Sequence, residues 1–339
     1  MRLKQLLVNS FKYLSTISRN SGMYRELTIF QLSGSLLFGF ILLAPTFGVS
    51  QPAVPQRVYP SIGMQGNGII ETTSGSRADD GTIAFLNFTQ STKLIRRSAP
   101  MNITSTFTVN SPADTGIGTL RRAIDSANAN PDLNLIAFSI GGGGAVTITL
   151  NSSLPDIKYP VIIDGTTQSG YAGTPIIELN GAIAGIGVNG LRLVGGNSIV
   201  RGLVINRFKS FPAGGNGYAI VLDILGGNAI EGNYIGLNIA GADILPNGSG
   251  IGIFGASGGN TIGGTTPGSG NVVSGNYSTG VAIASGSIGG NIVRGNYIGT
   301  SADGTSAFGN GGNGIFISAP NDSIGGLIPE ARNIVSANL

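Results

Sequence analysis

The chain is predicted to be all-β: a right-handed parallel β-helix, that is, a three-sided solenoid with coils of about 30 residues and a short N-terminal capping helix. Three observations predict it. Glycine reaches 57 of 339 residues without a Gly-X-Y period and beside 41% hydrophobic residues, which fits neither collagen nor disorder. From residue 190 onward, short apolar-x-apolar strands recur at a nearly fixed spacing, bounded by Gly and Asn. No repeat carries a 3.6-residue apolar stripe, so helical solenoids and leucine-rich repeats fit poorly.

The repeat has three strands. The first opens at Leu191, Ile220, Ile251, Val281 and Ile315, at spacings of 29, 31, 30 and 34 residues. The second begins at Asn and ends at Gly, as in "NSIVRG" (197–202), "NAIEG" (228–232), "NTIGG" (260–264), "NIVRG" (291–295) and "NDSIGG" (321–326). The third reads "GNYIG" (232–236), "GNVVSGN" (270–276), "GNYIG" (295–299) and "RNIVSAN" (332–338), which alternates in type and lays a double unit of about 62 residues over the single one. Corners between strands need left-handed or restricted backbone, which Gly and Asn tolerate. Asn197, Asn228, Asn260 and Asn291 are therefore read as one corner ladder of stacked amides, not as ligands.

The domain reading follows. Residues 101–339 form the β-helix, with an N-terminal cap over 104–185 and regular repeats over 190–339. Strands are expected at 105–109, 135–140, 146–150, 161–164 and 176–179, out of register with the later repeat. Leu120, Ala123, Ile124 and Ala127 follow i, i+3, i+4, i+7, Thr119 can cap them, and Asn130-Pro131 ends the run. This helix should lay Leu120, Ile124 and Ala127 over the first coil, because a solenoid must hide its terminal core.

Residues 1–50 are read as a signal peptide or a membrane anchor. Arg2, Lys4, Lys12, Arg19 and Arg25 precede an apolar run over 32–49, and small residues at Gly48 and Ser50 place cleavage near Ser50-Gln51. Residues 51–100 lack a period and read as a poorly ordered linker, with at most a strand near 83–88. Residues 1–100 hold ten Lys/Arg and four Asp/Glu, leaving nine and twelve for the rest, so the folded part is mildly acidic and no nucleic-acid partner is expected. Cys, His and Trp are absent, which removes disulfides, thiolate or imidazole metal sites, the commonest general base and the usual sugar-stacking ring.

The segments "FTVNSPADTGIGTLRRAIDSANANPD" (107–132), "PVIIDGTTQSGYAGTPIIELNG" (160–181), "GNTIGG", "GNVVSGN" and "GNYIGTSADGTSAFGNGGNGIFI" (295–317) resemble bacterial right-handed parallel β-helix repeat proteins, pectate-lyase-like and secreted or on the cell surface. The resemblance spans about residues 104–339. It implies fold and export, with a secreted or cell-surface bacterial location, and carries over no catalytic residue. The chain stops at Leu339 inside a repeat strand, which leads us to expect a protein truncated at its C-terminus.

Glycan hydrolysis needs two carboxylates at a defined separation. From Leu191 onward the carboxylates are Asp223, Glu231, Asp243, Asp303, Asp322 and Glu330. Aligning the two "NYIG" repeats sets Asp303 opposite Ala240 and Asp243 opposite Ser306, so these do not stack. We therefore assign no catalytic, cofactor-binding or metal residue. Ca²⁺ stays only as a minor alternative, since Asp164-Gly165 and Asp303-Gly304 are lone Asp-Gly turns. The Gly-rich run over 248–254 has no following helix and is not a nucleotide loop. Arg201 and Glu231, each preceding a closing Gly, should be cross-coil neighbours forming a surface ion pair. The expected function is an exported cell-surface structural or adhesion-type β-helix, membrane-linked only through its leader, with a polysaccharide or cell-surface ligand as partner. The alternative is a polysaccharide lyase, a glycoside hydrolase or a carbohydrate-binding β-helix with its site elsewhere in a longer protein. Exposed Tyr218, Tyr234 and Tyr297 beside clustered acids would favour sugar binding.

Overall fold

The computed structural model describes residues 29–32, 35–38, 102–210 and 217–339. The chain divides into two units, Met1–Arg96 and Arg97–Leu339. In the first, Ile29–Leu32 pairs antiparallel with Ser35–Phe38. The rest of residues 1–50, read from the sequence as a signal peptide or membrane anchor, and residues 51–100, read as a linker, lie outside the described residues.

The second unit is a parallel β-solenoid with three sheets. The eight-stranded sheet runs Ser105–Val109, Asn134–Phe138, Val161–Asp164, Ile199–Arg201, Ala229–Glu231, Thr261–Gly263, Ile292–Arg294 and Ser323–Ile324. The seven-stranded sheet runs Val146–Thr149, Ile177–Asn180, Leu203–Asn206, Tyr234–Ile235, Val272–Val273, Tyr297–Ile298 and Ile334–Val335. The five-stranded sheet runs Leu191–Leu193, Tyr218–Leu222, Ser249–Ile253, Val281–Ile283 and Ile315–Ile317. Seven steps between eight strands give a stack of roughly 34 Å at the inter-strand spacing of about 4.8 Å.

Strand alternation points one residue set inward. Ile136, Ile163, Val200, Ile230, Ile262 and Val293 stack in one column, each fully buried. β-Branched side chains suit this pleated, stacked surface, and each fully buried one contributes roughly 1.5–3 kcal/mol relative to exposure.

The five-stranded sheet has the register that the sequence spacing predicts: Leu191, Ile220, Ile251, Val281 and Ile315 are direct partners. The N-terminal strands correct the reading. They are not out of register but are coils of the same solenoid, with Asn134 opposite Val161 and Ile162 opposite Ile199, steps of 27 and 37 residues. Their loops differ in length, which hides the period. The helix Leu120–Asn128 packs against the first two strands of the eight-stranded sheet with Leu120, Ala123, Ile124 and Ala127 buried, and the Thr119 hydroxyl accepts from the Arg122 N–H.

Stacked asparagines hold three corners. At the first, the Asn228 N–H and Nδ2 donate to Asn260 Oδ1 at 3.0 and 2.9 Å, Asn260 donates likewise to Asn291, and Asn291 to Asp322. Asn197 is not in this ladder. It is exposed at φ +58°, and its neighbour Ser198 takes the rung, its N–H donating to Asn228 Oδ1. The second ladder runs Asn233, Asn271, Asn296, Asn333, and the third Asn247, Asn276, Asn310, Asn338. Each corner needs tight backbone. Gly295, at φ +68°, packs so close that a Cβ there would overlap the Gly264 carbonyl oxygen of the preceding coil.

The double unit is a matter of where loops leave the coil. After Tyr234–Ile235 and after Tyr297–Ile298 the chain makes two equivalent hairpins, closed by the bridges Leu237–Ile244 and Thr300–Ala307, each 63 residues from its counterpart. The coil between them, and the last coil, instead insert their loops before the third strand, at 264–270 and 325–332.

Candidate functional site

The outward residues of the seven-stranded sheet form one lateral face of the solenoid. Along it, Val204, Tyr234, Val272, Tyr297 and Ile334 are successive direct partners. Tyr234 and Tyr297 are half-buried, whereas Val272 between them is buried. One wall beside this column is the turn carrying Thr265, Thr266 and Pro267, and Ala302 lies on the hairpin opposite. The open groove between them measures about 320 Å³, with Glu330 the one charged residue lining it. A second hollow of about 350 Å³ shares Tyr234 and Ala302 and reaches Ser301, Asp303 and Phe308 on the hairpins.

The hairpins set the two rings. A methyl group at Gly304 would stand 2.7 Å from Tyr297 Cε1, and one at the equivalent Gly241 would stand 3.0 Å from Tyr234 Cε2. Both hairpins thus need Gly where they cross the ring. The hairpins also touch each other, the Ala302 N–H donating to the Gly241 carbonyl at 3.2 Å. Burial raises the Tyr234 phenol pKa, against the hydrogen bond to Thr174. Tyr218 lies apart from this groove, on the five-stranded sheet. Its ring meets Phe254 edge-on at 5.3 Å, and burial raises its pKa as well.

The carboxylates named from the sequence are spread over separate positions. Asp223 pairs with Arg192 at 2.6 Å, and Asp243 accepts from Asn238 Nδ2 at 2.7 Å. Asp303 accepts from the Ser301 hydroxyl and from the Thr305 N–H and hydroxyl, and these hold its pKa down to about 2. Asp322 ends the first amide ladder. Among the described residues no three Asp or Glu side chains come together in a metal-binding cluster.

Glu231 is opposite Arg201, as the repeat alignment predicts, with the ion pair at 3.8 Å. The stronger partner of Arg201 is Asp164, one coil earlier, at 2.6 Å. Burial alone would raise the Asp164 pKa, but Arg201 and Thr166 outweigh it and hold the carboxyl below its ordinary value. Sequence alignment of the regular repeats missed this contact because Asp164 belongs to a coil outside them. The eight-stranded face therefore carries an Asp164–Arg201–Glu231 charge row, with Arg294 beyond Gly263.

These features define residues 97–339 as a parallel β-solenoid with amide ladders at three corners and, along one face, an aromatic groove whose one charged lining residue is Glu330. No family model matches the chain, and no curated protein matches it significantly.

Proposed function

We propose that the chain is an exported, cell-surface β-solenoid of the pectate-lyase-like kind, acting as a stiff structural or adhesive element without catalytic activity. The observation that carries this reading is the engagement of its chemistry-bearing side chains. The carboxylates Asp164, Asp223, Asp243, Asp303 and Asp322 are each committed to a structural hydrogen bond or ion pair. The stacked amides, among them Asn228, Asn233 and Asn247, are used in the ladders. The basic stretch and apolar run before residue 50 support export. Repetition supports stiffness, since each coil rests on its neighbours.

Expression of the full chain with a C-terminal tag in a bacterial host, followed by fractionation and N-terminal sequencing, tests export. The expected product is extracytoplasmic and begins near Gln51, whereas a cytoplasmic product with an intact leader overturns that part. Incubation of the purified chain with pectate, xylan and alginate should release neither reducing ends nor the ultraviolet absorbance of unsaturated sugars. Turnover that disappears in an Asp164→Asn or Glu330→Gln variant would establish an enzyme instead.

A further inference from the structure

We propose that the groove over Val272 binds an extended proline-rich segment in the polyproline II conformation. Prolines at i and i+3 would sit on Tyr234 and Tyr297, and a Lys or Arg beyond the second would face Glu330. This deepens the adhesive reading by naming the class of partner, and binding by the purified chain can fail or succeed independently of export.

The argument starts from spacing. Tyr234 and Tyr297 are both direct partners of Val272, so they stand two rungs apart, about 9.6 Å at the inter-strand distance of roughly 4.8 Å. A polyproline II helix repeats every three residues, about 9.3 Å. A P-x-x-P segment lying along the solenoid axis therefore presents one proline ring to each tyrosine, with a mismatch of only about 0.3 Å per repeat. Aromatic-lined grooves are the established receptors for this conformation, because it arrives preformed and loses little entropy. Here the rings are preformed too: each is packed on a hairpin glycine, Gly241 or Gly304, so little ordering cost remains on either side.

The lining favours a peptide over a sugar. Besides the tyrosine hydroxyls, the groove offers only Thr265, Thr266 and Glu330 as polar side chains, and its floor includes Gly232, Gly270 and Val272. A glycan stripped of water there would leave several hydroxyls unpaired, each at a substantial cost. Proline rings need no such partners. Charge agrees as well: no Lys or Arg lines the groove, which disfavours acidic polysaccharides. Glu330 lies just before the strand Ile334–Val335, which pairs with the Tyr297 strand, and so marks the end where a basic residue belongs.

The test uses fluorescence anisotropy of labelled peptides with the purified full chain. One peptide carries prolines at i, i+3 and i+6 with a flanking Lys, and a second has the same composition with prolines at i, i+2 and i+4. Saturable binding of the first, and weaker binding of the second, is expected. Tyr234→Ala and Tyr297→Ala should each weaken binding roughly tenfold, the scale of an aromatic hot spot, while Tyr297→Phe keeps it. Glu330→Gln should remove most of its salt dependence. Thr266→Trp, on the exposed wall, should block the groove without touching the core, which guards against a tyrosine variant that merely misfolds. Three outcomes overturn the proposal: no saturable binding of the in-register peptide, equal binding of both peptides, or binding indifferent to the tyrosine and Thr266 variants. Binding of cello-oligosaccharide or xylan that is lost in the same variants, without peptide binding, would assign the groove to a neutral glycan instead.

Discussion

The coils before and after Glu231 solve one problem in two ways. Among the described residues every ion pair lies between Asp114 and Glu231: Arg121–Asp114, Arg192–Asp156, Arg192–Asp223, Arg201–Asp164, Arg201–Glu231 and Arg207–Glu178. The three asparagine ladders begin at Ser198, Asn233 and Asn247 and run to the last coil. The contrast follows from repetition. A regular repeat stacks each residue on its own kind. A carboxamide both donates and accepts, so it pairs with its own copy, whereas a charge placed opposite its own copy is repelled. Charge rows therefore belong where the coils differ, and amide ladders where they are alike.

The largest effect is expected in the middle of a ladder. Asn271 accepts from the Asn233 N–H and Nδ2, and its own Nδ2 donates to the Ile230 carbonyl and to Asn296, all fully buried. Asn271→Ala leaves the buried Asn233 N–H without its acceptor and takes a donor from the Ile230 carbonyl, whereas Asn233 Nδ2 keeps the Val200 and Glu231 carbonyls; at about 1–3 kcal/mol for a buried group left unpaired, the loss is roughly 2–4 kcal/mol. Asn197→Gly, at an exposed position with positive φ outside the ladder, should stay within about 0.5 kcal/mol. Denaturant melts measure both. Hydrogen exchange should show the Asn271→Ala opening centred on the neighbouring coils, because each coil depends on the next. Equal stabilities for the two variants would remove the ladder as a source of stability.

What was legible in the sequence follows the same division. The strand openings at Leu191, Ile220, Ile251, Val281 and Ile315 give the true register, because the coils there are alike. The first ladder was legible at Asn228, Asn260 and Asn291 but slipped by one at Asn197, where "NS" puts the asparagine on the turn and Ser198 on the rung. The second and third ladders were missed because their asparagines read as strand starts and ends. The signal was present: Asn233, Asn271, Asn296 and Asn333 recur with the same long-short-long alternation as the third strands they precede. The N-terminal coils follow at unequal steps of 27 and 37 residues, so periodicity could not find them, and with them went Asp164, the main partner of Arg201. Of the aromatic groove, the sequence showed that Tyr234 and Tyr297 are equivalent, but not the wall formed by Thr266 and Pro267, which comes from a loop of the intervening coil.

Acid should separate the two halves. The Asp164 pKa is held below 3.8 in the fold, with Arg201 and Thr166 outweighing burial. A depressed folded value means that the stabilisation is complete above the unfolded carboxylate's titration and is lost as pH falls through the folded value. Hydrogen exchange below pH 4 should therefore loosen the coils around Asp164 before the corners held by the second and third ladders, which are asparagine throughout and do not titrate. Asp164→Asn should cost roughly 1–3 kcal/mol at neutral pH, as for a buried acceptor that loses a charged partner, and should flatten the acid limb of the melt.

Glu231 tests the weakest member of the same row. Its contact with Arg201 is 3.8 Å long, and both side chains are partly exposed, whereas the Asp164 contact is 2.6 Å with the carboxylate buried. Arg201 keeps its stronger partner when Glu231 is neutralised, so Glu231→Gln should cost at most about 0.5 kcal/mol, and less in high salt. A double-mutant cycle over Asp164→Asn and Glu231→Gln decides whether the row is one network or two separate contacts. Coupling near zero would make Arg201–Asp164 a lone pair that happens to lie beside Glu231. Coupling above about 0.5 kcal/mol would show that the guanidinium is held from both sides, and that the charge row joins the last irregular coil to the first regular ones.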